Sequence, residues 1–372
     1  MHLRAPAPYP TCHTSVVGDE RAEEGGSPDE QRVVWRLMDV IARGAKTHSY
    51  KFAVIMAIID LVMERVDDHG RPPATIDGDE VVIRVLQTYW RQTAPLDEHG
   101  HAAQGSQVGG LVDKVAERRD RLIANGWTIR TVGLFDAPEL APLRRSAERS
   151  ILGYAVPLLQ FAKGTEADPF LFHTWPEQRT RFPDNRNRIL TLLPGAGDTL
   201  LKFGPLLRDV VRAEWLAFVR ARNTDRVPQD QLAQRLFGAS RIGLGPARDA
   251  LRVLDGDACF YCGSLPRDVD HFLPWSRTFE DGLANLVLAC QRCNGTKSDR
   301  LAGIDPLNRW RTRLDDPRLP GAAEEVSLRS GVGRCTGLAR ALYLPAAVAA
   351  VPLWLPAGED VLTRDEALLI LA

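Results

Sequence analysis

The sequence has neither an excess of charge of one sign nor a long apolar run. Its 47 Lys and Arg residues face 48 Asp and Glu residues, and the formal net charge is −1. This balance excludes a uniformly basic surface, so any contact with nucleic acid must come from a local patch. The apolar run FAVIMAII, residues 52–59, ends at Asp60 and is far shorter than the roughly 18 residues of a membrane span. We therefore expect no membrane insertion.

Cysteine and histidine are both scarce, with six and eight residues in a chain of 372. The first ten residues, MHLRAPAPYP, lack the apolar stretch of a signal peptide, which favours a cytoplasmic protein whose thiols stay reduced. In that compartment clustered cysteines indicate a metal site rather than disulfides. Cys12 and Cys335 stand alone in the sequence, and we interpret each as an ordinary free cysteine.

Most of the chain has the apolar periodicity of α-helices. Residues 1–28 lack it and are rich in Pro, Gly, Ser and acidic residues, which predicts a mobile leader. A helix is predicted to begin near Pro28, with Ser27 as its cap. Further helices are predicted up to about residue 66 with a break around Gly44, and at 81–96, 111–125, 139–163, 200–223 and 363–371, while residues 126–135 alternate enough for a short strand or an irregular link.

Arginines follow one side of the helix predicted at 200–223, namely Arg208, Arg212, Arg220 and Arg222. A stripe of this kind is most often a solvated face. It can also follow the phosphate backbone of a nucleic acid. The stripe therefore permits nucleic-acid binding without requiring it.

Four of the six cysteines form two C-x-x-C pairs, Cys259 with Cys262 and Cys290 with Cys293. Each pair supplies two thiolates from one tight turn, and four thiolates around a tetrahedral ion are typical of a structural zinc site. A redox pair would normally open a helix in a βαβ unit, and two copies at this separation do not fit that arrangement. The spacing therefore predicts a closed zinc site that holds the intervening residues without doing chemistry.

Polar residues suited to phosphodiester hydrolysis lie between and directly after the cysteine pairs. An imidazole can accept a proton near neutral pH, so His271 is a candidate general base towards water. The Asp270 carboxylate and the Asn294 amide oxygen are suitable ligands for Mg²⁺ or Mn²⁺. A base, a hard cation and oxygen ligands for that cation are what hydrolysis of a phosphodiester requires.

The segments DVDHFLPWS at 268–276 and LANLVLACQRCNGTKSD at 283–299 resemble the HNH nuclease family of the ββα-metal fold, in the subgroup with two C-x-x-C zinc knuckles. The resemblance covers about residues 253–305. It implies a two-stranded hairpin that carries the histidine and a following helix that carries the last metal ligand. The predicted fold class is mainly α with a small α+β unit, in which a helical N-terminal region is followed by a zinc-stapled ββα-metal HNH nuclease domain.

This resemblance implies a role for each polar residue of the motif. Asp270 is the metal-binding acid, His271 is the general base, and Asn285 braces the loop that holds the base. Asn294 takes the position of the last metal ligand, which is His in many members of the family. Asn at this position leaves hard oxygen ligands, which favours Mg²⁺ or Mn²⁺ over zinc or nickel at the active centre.

Two strands and a helix are predicted around these residues, at 269–272, at 286–289 and from near Asn294. Adjacent residues of a strand point to opposite faces. A bulge or a strand end is therefore expected where Asp270 meets His271.

Three basic residues of the unit are candidate contacts to phosphate, namely Lys297, Arg267 and Arg292. A solvated side chain is the alternative for Lys297. The chain as a whole is predicted to have a leader at 1–28, a mostly helical regulatory or DNA-binding region at 29–252, the HNH nuclease domain at 253–305 and a C-terminal appendage at 306–372.

The predicted function is that of a metal-dependent endonuclease that hydrolyses phosphodiester bonds in DNA, with double-stranded DNA as the expected substrate. The alternatives are a zinc-stapled nucleic-acid-binding module without catalysis and a protein-interaction scaffold in which the small zinc unit is a structural clip. The Arg- and Ala-rich composition is typical of a bacterial source with GC-rich DNA, for which we expect restriction or anti-phage defence together with partner proteins; a housekeeping or mobile-element role is the alternative. Cleavage of both strands by a nuclease with one centre would imply a homodimer.

Overall fold

The computed structural model describes residues 28–44, 47–95, 100–105, 109–127, 135, 137–160, 169–173, 188–224, 226, 229–237, 245–326 and 328–372. All of the predicted leader except Pro28 lies outside these residues, as does most of the alternating segment at 126–135. None of the helices in the described part of the chain has the length and apolar character that crossing a bilayer requires.

The first two thirds of the chain are mainly helical, which confirms the predicted fold class. The helices are α1 (Pro28–Arg43), α2 (Tyr50–Glu64), α3 (Gly78–Gln92), α4 (Leu111–Ala124), α5 (Ala141–Ser150), α6 (Ala196–Arg220), α7 (Gln229–Phe237) and α8 (Gly245–Asp255). Two short strands, β1 (Thr75–Asp77) and β2 (Ile189–Thr191), pair antiparallel.

The remaining third contains a hairpin surrounded by short helices. Its elements are β3 (Asp268–His271), α9 (Trp275–Thr278), β4 (Leu286–Ala289), α10 (Gln291–Lys297), α11 (Ile304–Leu314), α12 (Leu319–Glu325), α13 (Val332–Val348), β5 (Leu353–Leu355), β6 (Gly358–Asp360) and α14 (Arg364–Leu371). β3 pairs with β4 and β5 pairs with β6, both antiparallel.

α2 lies at the centre of the helical region because nearly all of its residues are apolar and buried. α6 packs along it, and Gly204 permits the close approach, since a Cβ there would lie 2.9 Å from the Met63 sulfur. Phe52 of α2 stacks on Trp215 of α6 with 6.1 Å between the ring centroids. Burial of these large side chains stabilises the helix pair by about 25 cal/mol for each Å² of apolar surface removed from water.

Most of the predicted helices are confirmed, including the start of α1 at Pro28. The single helix predicted at 139–163 is wrong, because α5 ends at Ser150 and the chain continues as a π turn at Ile151–Ala155 and a 3₁₀ turn at Pro157–Gln160. Pro157 has no N–H to donate to an α-helical ladder, which explains why the helix does not continue. Residues 161–163 lie outside the described part of the chain.

The arginine stripe of α6 is not uniformly solvated. Arg208 is only 2% exposed, and its Nε lies 3.2 Å from Asp60 Oδ1. Its guanidinium lies 4.6 Å from the centroid of the Phe279 ring and donates to the carbonyl of Arg277. Arg208 therefore joins the helical region to the segment after β3 and does not face water or a phosphate.

The β3–β4 hairpin is regular, with Asp268 opposite Ala289 and His271 opposite Leu286. β4 has the predicted bounds, and β3 begins and ends one residue earlier than predicted. The strand therefore ends at His271. Of the two expected features, a bulge or a strand end, the structure has the strand end. α10 begins at Gln291 rather than near Asn294, because the Cys290 sulfur caps the helix by accepting from the N–H of Cys293.

Residues of the predicted C-terminal appendage support the hairpin. The indole Nε1 of the fully buried Trp310 donates to the Ala284 carbonyl at 2.8 Å. Arg313 Nη1 donates to the Leu286 carbonyl at 2.7 Å and to Asp255 Oδ2 at 2.8 Å. The domain boundaries stay predictions, but α11 packs directly under β4 and the residues before it.

A buried ion network joins the loop between β3 and β4 to the helical region. Glu280 is 0% exposed, and its carboxylate lies 2.7 Å from Arg334 Nη1 and 3.3 Å from Arg329 Nη2. Arg334 Nε also lies 2.8 Å from Glu64, which accepts from Arg84 at 2.6 Å. Although burial opposes the shift, Glu280 and Glu64 raise the pKa of Arg334. The network fixes the loop against α2, α3 and α13.

Candidate active site and metal centre

The four cysteines of the two C-x-x-C pairs converge on one point. Their sulfur atoms all lie within 4.8 Å of one another, and Cys262 Sγ lies 3.7 Å from Cys290 Sγ. Zn–S bonds of about 2.3 Å around a tetrahedral ion would place the sulfurs about 3.8 Å apart. The geometry fits such an ion and confirms the predicted grouping of Cys259, Cys262, Cys290 and Cys293.

The thiols of this cluster differ in acidity. The Ser264 hydroxyl and the N–H of Cys293 lower the pKa of Cys290 to about 6. Burial raises the pKa of Cys259 and of Cys293. Four thiolates at this separation repel one another, so a bound cation is needed for all four to be ionised together. Four sulfur ligands suit zinc.

Backbone hydrogen bonds anchor the first cysteine pair to β4. The Phe260 N–H donates to the Leu288 carbonyl at 2.7 Å, and the Arg267 N–H donates to the Ala289 carbonyl at 2.9 Å. The second cysteine pair follows β4 directly in the chain. A metal held by both pairs would therefore join the segment before β3 to the end of β4 and so stabilise one end of the hairpin.

His271 is the last residue of β3, and its imidazole contacts the loop that follows. Its Nε2 lies 2.9 Å from Asp281 Oδ1, and the two side chains are 18% and 20% exposed. A carboxylate only accepts hydrogen bonds, so the neutral imidazole carries its proton on Nε2 and keeps the lone pair of Nδ1 for another proton. Asp281 was not predicted from the sequence, because no local spacing indicates a contact across this loop.

The Asp270 carboxylate contacts Tyr261 and Lys297, and the imidazole of its neighbour His271 contacts a different part of the chain. It is 8% exposed, and its Oδ2 accepts from the Tyr261 hydroxyl at 2.7 Å and lies 3.1 Å from Lys297 Nζ. Lys297 is 0% exposed and also donates to the His271 carbonyl at 2.7 Å. Burial lowers the pKa of Lys297, and Asp270 opposes that shift. The prediction that Lys297 contacts phosphate is wrong, and so is the solvated alternative. The ammonium group is buried and binds the Asp270 carboxylate and the His271 carbonyl.

Asn294 lies in α10, and its Nδ2 donates to Asp268 Oδ2 at 3.2 Å. Within the described residues no hydrogen bond joins Asn294 to Asp270, its predicted partner in metal binding. Both aspartates nevertheless face α10, because alternate residues of a strand lie on one side. Asp268 is therefore a third candidate oxygen donor; it was not predicted from the sequence, although its spacing from Asp270 places both on one side of the strand.

The three oxygen-bearing side chains fit a hard divalent cation. Carboxylate and amide oxygens are the ligands of Mg²⁺ and Mn²⁺ in proteins. Asn294 uses its NH₂ group towards Asp268, and its amide oxygen accepts no hydrogen bond from the part of the chain that the structure describes. That oxygen is therefore available to a cation.

Asn285 is fully buried at the end of the loop between β3 and β4. Its Nδ2 donates to the carbonyls of Leu273 and Glu280, each at 3.0 Å, and its Oδ1 accepts from the Leu273 N–H at 2.8 Å. One side chain thus holds two separate points of the loop. These bonds fix the path of the chain between His271 and Asp281.

Arg267 and Arg292 are both exposed. Their guanidinium groups have no hydrogen bond or ion pair with other described residues. They are therefore available to a phosphate, in contrast to Lys297, and their contact with phosphate stays a prediction.

A comparison with known protein families agrees with this arrangement. Residues 265–302 match the model of a family described as HNH endonuclease. The matched segment contains β3, β4 and α10, with the predicted residues Asp270, His271, Asn285 and Asn294. No curated protein and no solved structure matches the chain.

Proposed function

We propose that this chain, whose residues 265–302 match the model of the HNH endonuclease family, is a metal-dependent nuclease that hydrolyses phosphodiester bonds in DNA. The observation that carries the proposal is the 2.9 Å pairing of His271 with Asp281 beside oxygen donors on β3 and α10. A histidine oriented by a carboxylate is the arrangement of a general base. The family match implies a nucleic-acid substrate, and DNA is our proposal within that class.

The imidazole of His271 has two tasks in the proposed reaction. Nδ1 takes a proton from a water molecule as the water oxygen attacks phosphorus. Nε2–H stays hydrogen-bonded to Asp281, whose negative charge stabilises the imidazolium that forms. Asn285 holds the loop that carries Asp281, so that the pair keeps its geometry. The P–O3′ bond breaks as the water oxygen bonds to phosphorus, and the departing 3′ oxygen takes a proton from solvent, so that by the family resemblance the products carry a 5′-phosphate and a 3′-hydroxyl.

Asp268, Asp270 and Asn294 are the residues that would hold Mg²⁺ or Mn²⁺. When bound, such an ion supplies positive charge to the phosphate and to the leaving oxygen. Lys297 and Tyr261 hold the Asp270 carboxylate towards α10, which keeps it on the same side of β3 as Asp268.

Zinc is proposed at the four cysteines in a structural role. Four protein ligands complete a tetrahedral coordination shell and leave no position for water. This site is therefore assigned to stabilising the hairpin and not to hydrolysis. Arg267, which follows the first cysteine pair, and Arg292, which lies between the cysteines of the second, are proposed to contact DNA phosphates near the site.

The proposed substrate is double-stranded DNA, and the proposed setting is restriction or anti-phage defence. One hairpin supplies one His271, so cutting both strands requires two binding events or a homodimer. Composition and the family resemblance are what support the setting.

Cleavage of supercoiled plasmid tests the catalytic assignment. The unaltered chain is expected to convert the plasmid to nicked or linear product with Mg²⁺ or Mn²⁺. His271→Ala is expected to lose at least about 10²-fold in rate, which is the typical contribution of a general base. His69→Ala is the control, because the side chain of His69 is 70% exposed. Equal cutting by His271→Ala and the control would refute the role of His271.

A further inference from the structure

A cleft of about 490 Å³ lies between the helical region and the loop that follows β3. Asp281, which is hydrogen-bonded to His271, is one of its lining residues. The cleft therefore reaches the carboxylate that is paired with the candidate general base. Its wall also contains aromatic side chains from both regions, namely Trp90, Phe237, Trp275 and Phe279.

Positive charge predominates among the described residues that line this cleft. They include the arginines Arg84, Arg91, Arg119, Arg212, Arg235, Arg329 and Arg334 and the acids Asp60 and Asp281. Several of these guanidinium groups are already engaged by the protein. Arg84 and Arg334 bind buried carboxylates, and Arg212 lies 4.2 Å from the centroid of the Phe279 ring.

Arg91 differs from these engaged arginines. It lines the cleft, is exposed to solvent, and has no hydrogen bond or ion pair within the described residues. Although solvent reaches it, the surrounding protein lowers the pKa of Arg91 by removing part of its hydration, and Asp281 opposes that shift. Arginine nevertheless stays charged near neutral pH, and its planar fork matches a phosphate. An unpaired cation thus lies near the carboxylate that orients His271.

The size of the cleft restricts what can enter. A volume of about 490 Å³ is in the range of pockets that hold one small molecule. A base-paired segment of nucleic acid is far too large to enter it. Aromatic walls beside arginines are typical of sites that receive single unstacked bases. Such a site takes a nucleotide that has left the helical stack.

We infer that the cleft binds one unpaired nucleotide of the nucleic-acid substrate, with Arg91 on its phosphate and the base against the aromatic wall. The inference rests on the proposed nuclease function and adds a substrate preference to it. Oligonucleotide duplexes with one unpaired nucleotide should therefore bind more tightly than fully paired duplexes of the same length.

Fluorescence anisotropy of labelled duplexes tests this preference, with the full chain carrying His271→Ala so that no substrate is cut. Adding Arg91→Ala is expected to weaken binding of the duplex with an unpaired nucleotide by about tenfold, the scale of one lost charge-assisted or stacking contact. Binding of the paired duplex should change less than twofold. Arg364→Ala, an exposed arginine in α14, is the matched control and should change neither. DNA and RNA versions of both duplexes show which nucleic acid the cleft accepts.

A second measurement follows the base itself. 2-Aminopurine at the unpaired position should lose fluorescence on binding, because its base stacks, and Arg91→Ala should restore most of the signal at matched concentrations. Equal weakening of both duplexes by Arg91→Ala, or no weakening of either, overturns the inference. Plasmid cleavage by the unaltered chain is scored separately, so failure of the cleft assignment and failure of the nuclease assignment are distinguishable.

Discussion

The hairpin unit, residues 259–302, and the helical region, residues 28–255, contribute to the candidate site in different ways. The hairpin unit supplies the sulfur cluster, His271 and the oxygen donors from a short stretch of chain. The helical region supplies none of these, but Glu64 of α2 binds Arg334 of α13, which in turn binds Glu280 in the loop that carries Asp281. Local spacing thus determines which groups are present, whereas packing between distant residues determines how they are oriented.

Breaking the sulfur cluster is expected to have the largest effect, because structural zinc contributes on the order of 10 kcal/mol to small zinc-dependent folds. Cys293→Ser should lose the metal and the folded hairpin unit together. Zinc content by atomic absorption and thermal unfolding measure the loss. Cys335→Ala is the control, since Cys335 is buried in α13 and outside the cluster. A Cys293→Ser chain with full zinc and unchanged unfolding would show that the cluster does not hold the hairpin.

Removing the charge of Glu280, which links the hairpin unit through Arg334 to Glu64 of the helical region, should have the next largest effect. Glu280→Gln leaves Arg334 and Arg329 without their shared carboxylate in a buried site, and the expected loss is about 3–5 kcal/mol in the free energy of unfolding. Urea titration measures it. Glu359→Gln removes a carboxylate that is 57% exposed and should cost less than about 1 kcal/mol. A similar small loss for both variants would mean that the ion network does not couple the regions.

Changing the orienting carboxylate should affect rate and not stability. Asp281→Asn keeps the shape of the side chain but removes the charge that stabilises the His271 imidazolium, and we expect about a 10²-fold lower rate of plasmid cleavage. Urea unfolding should stay within about 0.5 kcal/mol of the unaltered chain. Asp365→Asn, at an exposed position of α14, is the control. Unchanged cleavage by Asp281→Asn would show that the Asp281 charge does not contribute to hydrolysis.

Removing the Asp268 carboxylate should have the smallest effect, and it tests whether this residue of β3 is a metal ligand. Asp268→Asn should weaken Mn²⁺ binding by about tenfold, a loss within the range for one supporting carboxylate, while zinc content stays unchanged. Electron paramagnetic resonance of free Mn²⁺ measures the affinity. Asp299→Asn, at an exposed position after α10, controls for loss of charge near the site. Equal affinity of both variants would exclude Asp268 from the ligands.

Local patterns were sufficient to predict much of the hairpin unit. The C-x-x-C spacing predicted the sulfur cluster, and apolar residues between turn residues predicted β4 with its observed bounds. These features depend on contacts between residues close in sequence. The start of α10 was missed because the cap is the sulfur of Cys290, a residue assigned only to metal binding.

Contacts across the fold could not be predicted from the same patterns. Lys297 was expected at the surface because lysine is rarely buried, and only the presence of Asp270 beside it explains its position. Arg208 was expected on a solvated face, yet Asp60 and the loop after β3 cover it. Each of these side chains depends on a partner from a different element, which one sequence without its fold does not indicate.

Chemical rescue by imidazole is the decisive test of His271 as the general base. His271→Ala lacks the proposed base, so added imidazole should restore plasmid cleavage in proportion to the concentration of its neutral form. His69→Ala should cut at the rate of the unaltered chain and gain nothing from imidazole. Cleavage by His271→Ala that equals the unaltered chain without imidazole would contradict the claim that His271 activates the attacking water.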